Sequence, residues 1–171
     1  LSQIEMTSRH GHFPGPGLAV IAYGSLGACV LGFDSDLDLI FLYQSVKKHS
    51  DGSRPIPAER YHTAVARRML SLLSATTPSG RLYSIDARLR PNGRAGLLVS
   101  SVDAFSRYQL EDAWIWELQA LTRARPVAGS PEVAESFTAT RKQVLTATRD
   151  KTLVKDEISD MRERISIQHN D

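Results

Sequence analysis

The stretch that decides the fold is Ala22-Tyr-Gly-Ser-Leu-Gly27, followed by Gly32-Phe-Asp-Ser-Asp-Leu-Asp-Leu-Ile-Phe41. It predicts a strand, a glycine-bearing turn and a second strand. In the second strand, apolar residues at positions 37, 39, 41 and 43 alternate with Asp36, Asp38 and the residues at 40 and 42. Because successive side chains of a strand point to opposite faces, Asp36 and Asp38 are expected on the same face.

This pair of aspartates predicts a cation site. Two carboxylates this close on one rigid face repel each other unless a cation lies between them. A hard divalent ion with oxygen ligands, most simply Mg²⁺, removes that repulsion. The turn at Gly24-Ser25 just upstream offers backbone N–H groups and a hydroxyl to phosphate oxygens. Metal and phosphate together indicate nucleotide chemistry.

Length and composition bound the class of protein. With 171 residues the chain can bury one sizeable core, which favours one domain or one domain with an appendage. Hydrophobic residues at 42% and charged residues at 23% are typical of a soluble globular protein. The net charge of +2 lacks the one-sided field of a dedicated nucleic-acid binder, so we expect no nucleic-acid partner.

The single cysteine, Cys29, excludes an internal disulfide and fits a reducing compartment. We find no apolar run long enough to span a bilayer and no signal-peptide pattern at the start. A cytoplasmic protein without a membrane partner is therefore expected. The chain starts at Leu1 and stops at Asp171 directly after an unfinished helical pattern, so we expect a piece of a longer protein.

Hydrophobic periodicity predicts strands and helices along the chain. For the whole chain we expect an α/β (α+β) fold, with a mixed β-sheet core of the kind that the resemblance described below implies, flanking helices and helical segments after it. Strands are predicted at residues 18–22, 36–43, 81–88 and 97–99, and helices at residues 58–76, 101–111, 113–125, 131–144 and 153–167. Asn92-Gly93 predicts a hairpin between the last two strands, and Ser100 or Ser101 is expected to cap the second helix. Ser130-Pro131 predicts the start of another helix.

The domain organisation follows from these elements. We expect a core at residues 1–125 and the start of a truncated helical region at residues 126–171. Residues 1–17 are expected to be a flexible lead-in, because a Gly/Pro cluster at 14–17 breaks regular structure. His10 and His12 within it could bind a metal, but no other residue of ligand type lies nearby in the sequence.

A calcium-binding loop is the first alternative for the acidic stretch, because Asp34, Asp36 and Asp38 occupy alternate positions. The pattern fails twice. Leu39 stands where the loop needs glycine, and Ser45 stands where it needs the closing glutamate. A strand fits the intervening apolar residues better.

A two-metal phosphoryl-transfer site is the second possibility, and it needs carboxylates from more than one strand. Asp86 ends a different predicted strand and is the obvious third member. The alternative is a strand-end aspartate paired with Arg88 or Arg90. Spacing alone leaves both open.

The sequence resembles known proteins at two levels, a superfamily and a family within it. Gly24-Ser25, then Asp36-x-Asp38, then a later strand aspartate resembles the DNA polymerase β-like nucleotidyltransferase superfamily. The blocks at residues 32–41 and Gly80-Arg-Leu-Tyr-Ser-Ile-Asp-Ala-Arg-Leu-Arg-Pro91 resemble glutamine synthetase adenylyltransferase. So do the blocks at residues 96–99, 108–109, 116–117 and 120–125, and the resemblance covers nearly everything from residue 18 onward.

That resemblance implies a bifunctional enzyme with two nucleotidyltransferase halves. One half transfers AMP from ATP to a tyrosine of glutamine synthetase, and the other removes it by phosphorolysis. The amino-acid sequence at residues 86–91 and 113–117 is more similar to that of the AMP-adding half. The adenylyl-removing half is the alternative, because both halves share the metal-site pattern. Glutamine synthetase is the implied protein substrate, and the PII signalling protein is an implied partner of the full-length enzyme.

The resemblance also implies roles for individual residues. Asp36 and Asp38 would hold Mg²⁺, or Mn²⁺, against the ATP phosphates. Asp86 would complete a second metal site and help to deprotonate the tyrosine hydroxyl. Arg88 and Arg90 are candidate phosphate clamps, since a guanidinium engages two oxygens at once. Their alternative roles are pairing with acidic neighbours or with carbonyls of the chain itself.

Two positions depart from the family pattern. Ser25 stands where the family usually has lysine, and Ala28 stands where it has a second glycine. Ser25 still matches the Gly-Ser turn of the wider superfamily, so Gly24 and Ser25 remain candidates for nucleotide binding. The missing lysine leaves open a non-catalytic, nucleotide-sensing regulatory module. A template-independent nucleic-acid polymerase is disfavoured by the near-neutral charge.

Overall fold

The structure is a computed structural model that describes residues 2–33, 35–76, 78, 80, 83–147 and 159. Its elements follow in the order α1 (Ser2–His10), β1 (Gly17–Ala22), α2 (Gly24–Gly27), β2 (Leu37–Gln44), α3 (Ala58–Leu73), β3 (Ile85–Asp86), a 3₁₀ helix (Gly93–Ala95), β4 (Val99–Ser101), α4 (Val102–Glu111), α5 (Ile115–Leu121), β5 (Arg125–Gly129) and α6 (Pro131–Thr146). The predicted mixed α/β fold is confirmed. Among the described residues, no helix combines the length and the apolarity that crossing a membrane requires.

The sheet is mixed, with β1 between two antiparallel neighbours, β2 and β5. β1 pairs with β2 from Gly17 opposite Gln44 to Ala22 opposite Leu39. β3 and β4 both pair parallel with β2, so they lie along its other edge. β3 lies beside the start of β2 and β4 beside its later part, opposite residues 41–43. The first two residues of β2 are therefore paired with β3.

Helices cover both faces of this sheet. In β2, Ile40 and Leu42 pack towards α4, α5 and α6, whereas Leu39 and Phe41 pack towards α3. The first face is filled by Phe105, Leu118, Leu121, Val133, Phe137 and Val144. Burying side chains of this size stabilises the fold by about 1.5–3 kcal/mol each. Asp38 lies two residues before Ile40, so it continues the face that α4, α5 and α6 cover.

The N-terminal residues differ from the prediction. Ser2–His10 form helix α1 where a flexible lead-in was expected, and α1 packs against α3. Thr7 Oγ1 lies 3.2 Å from Tyr61 Oη, and the Phe13 and Tyr61 rings are 5.3 Å apart. His10 Nδ1 lies 2.9 Å from the Arg54 carbonyl oxygen. This contact joins α1 to the loop after β2.

The starts of α3, α4 and α6 follow the sequence signals closely. The Ser101 hydroxyl accepts a hydrogen bond from the Ala104 N–H at 3.2 Å, and the Ser130 hydroxyl accepts one from the Val133 N–H at 3.3 Å. Both serines are N-caps, as predicted, and Pro131 begins α6. Helix α3 begins at the predicted Ala58 and ends at Leu73 rather than at residue 76.

The predicted hairpin at Asn92-Gly93 is wrong. Asn92 has a left-handed backbone, with φ of 60°, but it leads into the 3₁₀ helix Gly93–Ala95. β4 then pairs parallel with β2 and not antiparallel with β3. A two-residue turn cannot join neighbouring parallel strands, so the local signal indicated a turn but not its partners. Only Ile85–Asp86 of the predicted strand at 81–88 is a strand, and residues 81 and 82 lie outside the described residues.

The predicted helix at residues 113–125 is too long. It divides into α5 and then β5, which the sequence analysis missed. β5 pairs with β1 and crosses the expected boundary between residues 125 and 126. The division into two domains stays a prediction. The helix predicted at residues 153–167 lies outside the described residues, apart from Ser159.

Candidate functional site

Parallel pairing of β2 with β3 brings two of the three predicted aspartates side by side. Asp38 lies opposite Asp86 in the strand register, and Leu37 lies opposite Ile85. The Leu37 N–H donates to the Ser84 carbonyl oxygen at 2.8 Å, which fixes this register. Residues paired across two strands share a face of the sheet, so the two carboxylates are neighbours. The structure therefore places Asp86 beside Asp38, and the convergence of all three aspartates on a metal ion stays a prediction.

Asp36 joins this group from the segment just before β2. The Ser84 hydroxyl donates a hydrogen bond to Asp36 Oδ1. Ser84 lies two residues before Asp86, so one short segment contacts Asp36 through a hydroxyl and Asp38 through strand pairing. Ser84 was not among the residues predicted for the site. Its only signal was its place inside the block at residues 80–91.

The electrostatics of Asp38 reflect this crowding. Burial raises the pKa of the Asp38 carboxyl above its ordinary value, and the charges of Asp86 and Asp36 raise it further. Arg88 acts in the opposite direction. A carboxylate whose ionisation is opposed by two other carboxylates is a group that a bound cation stabilises.

Asp86 is held by Arg88. The Arg88 backbone N–H donates to Asp86 Oδ1 at 2.8 Å, and Arg88 Nε donates to Asp86 Oδ2 at 2.6 Å. Arg88 Nη2 completes an ion pair with the same oxygen. The pair is not sealed, because the Arg88 side chain is 57% exposed and that of Asp86 is 16% exposed. Pairing with an acidic neighbour is the role observed for Arg88, and its role as a phosphate clamp stays a prediction.

Arg90 binds the chain's own carbonyls. Arg90 Nε donates to the Gly96 carbonyl oxygen at 3.2 Å, and Arg90 Nη1 donates to that of Ala87. These bonds close the loop that leads from β3 to β4. They match the structural alternative for Arg90, and a contact between Arg90 and phosphate stays a prediction.

The Gly-Ser turn lies directly against the acidic residues. The Tyr23 N–H donates to the Asp38 carbonyl oxygen at 2.9 Å. Gly24 has φ of +54°, and a Cβ on it would lie 2.2 Å from Asp38 Oδ2. Only glycine permits both that backbone conformation and that approach. Ser25 is half-exposed and follows Gly24 in α2, so the predicted turn and the acidic group form one site.

The donor set fits a hard divalent cation by its chemistry, because carboxylate oxygens are the ligands that such ions prefer. In the arrangement of the described side chains, however, no three His, Cys, Asp or Glu residues converge on one metal position. Asp36 is engaged by Ser84 and Asp86 by Arg88. The assignment of the three aspartates as metal ligands therefore stays a prediction.

Arg125 is a second residue that the sequence analysis did not assign. Its guanidinium donates to the carbonyl oxygens of Gly27 and Leu26, at 3.0 and 3.1 Å. These are the last residues of α2, the turn that begins at Gly24. The available signal was the family-like block at residues 120–125.

Comparison with known proteins identifies the family. The family model described as glutamate-ammonia ligase adenylyltransferase matches residues 2–140. The chain belongs to this family.

Individual relatives agree with that assignment. The chain is 47% identical over 167 residues to a protein of Xanthomonas campestris pv. campestris (strain B100), covering 96% of this chain and 18% of that protein. It is 51% identical over 152 residues to a protein of Methylococcus capsulatus, covering 88% and 16% respectively. Both relatives are named bifunctional glutamine synthetase adenylyltransferase/adenylyl-removing enzyme. The chain thus spans less than a fifth of the length of these relatives.

A solved structure described as the crystal structure of the toxin-antitoxin with AMP-PNP covers 95% of this chain and 94% of its own. The TM-score is 0.37 and the sequence identity is 12%. A likeness this weak carries no argument about fold or function.

Proposed function

We propose that the site formed by Asp36, Asp38 and Asp86 transfers AMP from ATP to a tyrosine hydroxyl of glutamine synthetase. The observation that carries this proposal is the register of β2 and β3, which pairs Asp38 with Asp86 beside the turn at Gly24. Membership of the adenylyltransferase family supports the reaction class. The names of the relatives supply the protein substrate.

Each residue has a defined part in this reaction. Asp36, Asp38 and Asp86 would hold Mg²⁺ or Mn²⁺, and such ions, when bound, neutralise charge on the phosphates and polarise the phosphoryl group. Asp86 accepts the proton of the tyrosine hydroxyl as its oxygen bonds to the α-phosphorus of ATP. The bond from that phosphorus to pyrophosphate breaks, and pyrophosphate leaves. Positioning and electrostatic stabilisation account for most of the catalysis in reactions of this kind.

The arginine and the turn complete the site. Arg88 orients Asp86 through its bonds to both carboxylate oxygens, and its exposed guanidinium can also engage a phosphate. Gly24 lets the backbone approach Asp38, and the hydroxyl and N–H of Ser25 are available to phosphate oxygens. No lysine is needed at position 25 if Arg88 supplies the positive charge.

Replacement of Asp36 by asparagine tests the proposal. The amide oxygen of the new side chain can still accept a hydrogen bond from Ser84, so the fold should persist while the negative charge is lost. We expect Asp36→Asn to lower Mg²⁺-dependent AMP incorporation into glutamine synthetase by about 100-fold or more, since each charge acts on the transition state. Glu135→Gln removes an exposed carboxylate of α6 and should leave incorporation unchanged. Full activity of Asp36→Asn would contradict the site assignment.

The adenylyl-removing reaction is the second candidate, because the relatives are bifunctional and the chain matches only part of them. Adenylylated glutamine synthetase supplied with phosphate separates the two reactions. Phosphate-dependent loss of AMP without any incorporation from ATP would favour the removing half. ATP binding without either reaction would favour a nucleotide-sensing module. The observed contacts of Asp36 with Ser84 and of Asp86 with Arg88 are compatible with such a module.

A further inference from the structure

We propose that Arg125 is a positioning residue that holds the Gly24-Ser25 turn in place for nucleotide binding. The part of this inference that concerns the nucleotide rests on the proposed function. The part that concerns the turn rests on contacts between β5 and α2, two elements far apart in the sequence.

The guanidinium of Arg125 is matched to the end of α2. Its Nε donates to the Gly27 carbonyl oxygen at 3.0 Å, and its Nη2 donates to the Leu26 carbonyl oxygen at 3.1 Å. Carbonyls in the last turn of a helix lack partners within the helix, although the Leu26 carbonyl also accepts from the Cys29 N–H just beyond α2. Arginine presents its donors in a fixed planar fork, so it can satisfy two adjacent carbonyls at once. Lysine offers a single ammonium group and cannot reproduce this arrangement.

The same end of α2 is tightly enclosed. A Cβ on Gly27 would lie 1.9 Å from the Arg123 carbonyl oxygen and 2.7 Å from that of Ala22. Arg125 itself lies opposite Ala22 in the pairing of β5 with β1. The end of α2 is therefore held between the last residue of β1 and the segment that enters β5.

The two ends of α2 are linked by one helical turn. Gly24 begins it against Asp38, and Gly27 ends it against Arg125. A helix of four residues has no stability of its own, because nucleation alone costs more than one turn regains. Outside contacts must fix its position. Displacement of the Gly27 end moves Gly24 and Ser25 relative to the aspartates.

Hydrogen exchange at α2 gives a readout that does not depend on activity. The N–H groups of Ala28, Cys29 and Val30 donate to carbonyls of Gly24, Leu26 and Ser25, so they report directly on this turn. We expect their exchange to become about tenfold faster in Arg125→Ala and to rise by a smaller factor in Arg125→Lys, because local opening becomes easier. Amides of α3 should keep their wild-type rates in both variants.

Kinetics then tests the link to nucleotide. Both Arg125 variants should raise the KM for ATP, by about tenfold in Arg125→Ala, with kcat changed less than about threefold, since contacts made equally in ground and transition states affect KM. Ser101→Ala is the control, because it removes the N-cap of α4 and lowers stability elsewhere. It should change neither the exchange of α2 nor the KM.

Three results would overturn the inference. These are unchanged exchange at α2, exchange that accelerates equally throughout the molecule, and faster exchange at α2 with an unchanged KM for ATP. If Arg125→Ala does not fold, Arg125→Lys decides by the same criteria. Failure of the proposed function is distinguishable, because a wild-type chain without AMP transfer contradicts that proposal alone. In that case the exchange rates and an ATP titration still decide the role of Arg125.

Discussion

Gly24 decides the geometry of the acidic site through the side chain that it lacks. The Asp38 carboxylate occupies the space that a Cβ would need, with Oδ2 only 2.2 Å from the ideal Cβ position. The sequence singled out Gly24 as part of a phosphate-binding turn. The structure adds a second reason for glycine, which is close approach of the backbone to a carboxylate.

Comparison of two alanine variants isolates this contact. Gly24→Ala and Gly17→Ala both place a Cβ on a residue with positive φ, at +54° and +93°. Each should lose about 1 kcal/mol of stability from backbone strain. A Cβ at Gly17 meets nothing within 4 Å, whereas at Gly24 it displaces Asp38. We therefore expect AMP transfer to fall at least about tenfold in Gly24→Ala only.

Transfer assays and thermal unfolding, run on both variants, check this expectation. Equal loss of activity in the two variants would show that strain, and not the position of Asp38, is responsible. The Gly17 variant thus separates stability from site geometry.

At the scale of elements, local cap signals were enough to place the starts of α4 and α6, but no local signal indicated the strand pairing. Ser101 and Ser130 are sequence-local caps, and α4 and α6 begin where they indicate. β3, β4 and β5 depend on partners that are distant in the sequence. Strands as short as β3 and β4, with two and three residues, also have too little periodicity to reveal a partner. Even a correct turn residue such as Asn92 does not identify the strands that it joins.

The same distinction applies to the site. Alternation along one predicted strand indicated that Asp36 and Asp38 lie near each other. In the structure Asp36 precedes β2, and its charge acts on Asp38 from there. Asp86 entered as a candidate through spacing and family resemblance, and only the parallel register shows it beside Asp38. The contacts of Ser84 and Arg125 join residues 48 and 98 positions apart, so no local pattern could indicate them.

Glu117 joins α4 to α5 through its carboxylate. Its Oε1 and Oε2 accept from the Tyr108 hydroxyl at 3.0 and 2.9 Å, and Oε2 also accepts from the Trp114 N–H at 2.9 Å. Glu117→Gln keeps the shape but replaces one acceptor by a donor. We expect it to lower the free energy of unfolding by about 1–2 kcal/mol, as for a lost hydrogen bond to a charged group.

Urea unfolding measures this loss against a matched variant. Glu111→Gln changes an exposed glutamate at the end of α4 and should stay within about 0.5 kcal/mol of the wild type. If Glu117→Gln proves as stable as Glu111→Gln, the junction does not depend on this carboxylate.

At the scale of the whole molecule, His62 lies where three parts of the fold meet. Its ring stacks on Tyr43 of β2 at 4.8 Å and lies 5.4 Å from both Phe13, before β1, and Tyr61 of α3. His62 is 3% exposed, and its buried Nε2 has no hydrogen-bond partner among the described residues. Burial lowers the pKa of His62 to about 4. A positive charge on this ring is disfavoured because burial removes it from water.

The stability of the fold should therefore depend on pH through His62. The unfolded chain binds a proton at this histidine below its ordinary pKa of 6.5, whereas the folded chain does so only near pH 4. Between these values the unfolded state binds more protons, so stability falls as pH falls, by about 3 kcal/mol across the window at 1.36 kcal/mol per pKa unit.

His62→Phe keeps an aromatic ring and should remove this slope, whereas His49→Gln, which replaces an exposed histidine, should keep it. Urea unfolding at steps from pH 7.5 to 4.5 gives the slopes directly. Parallel profiles for the wild type and His62→Phe would show that the buried ring does not control the acid stability of the molecule.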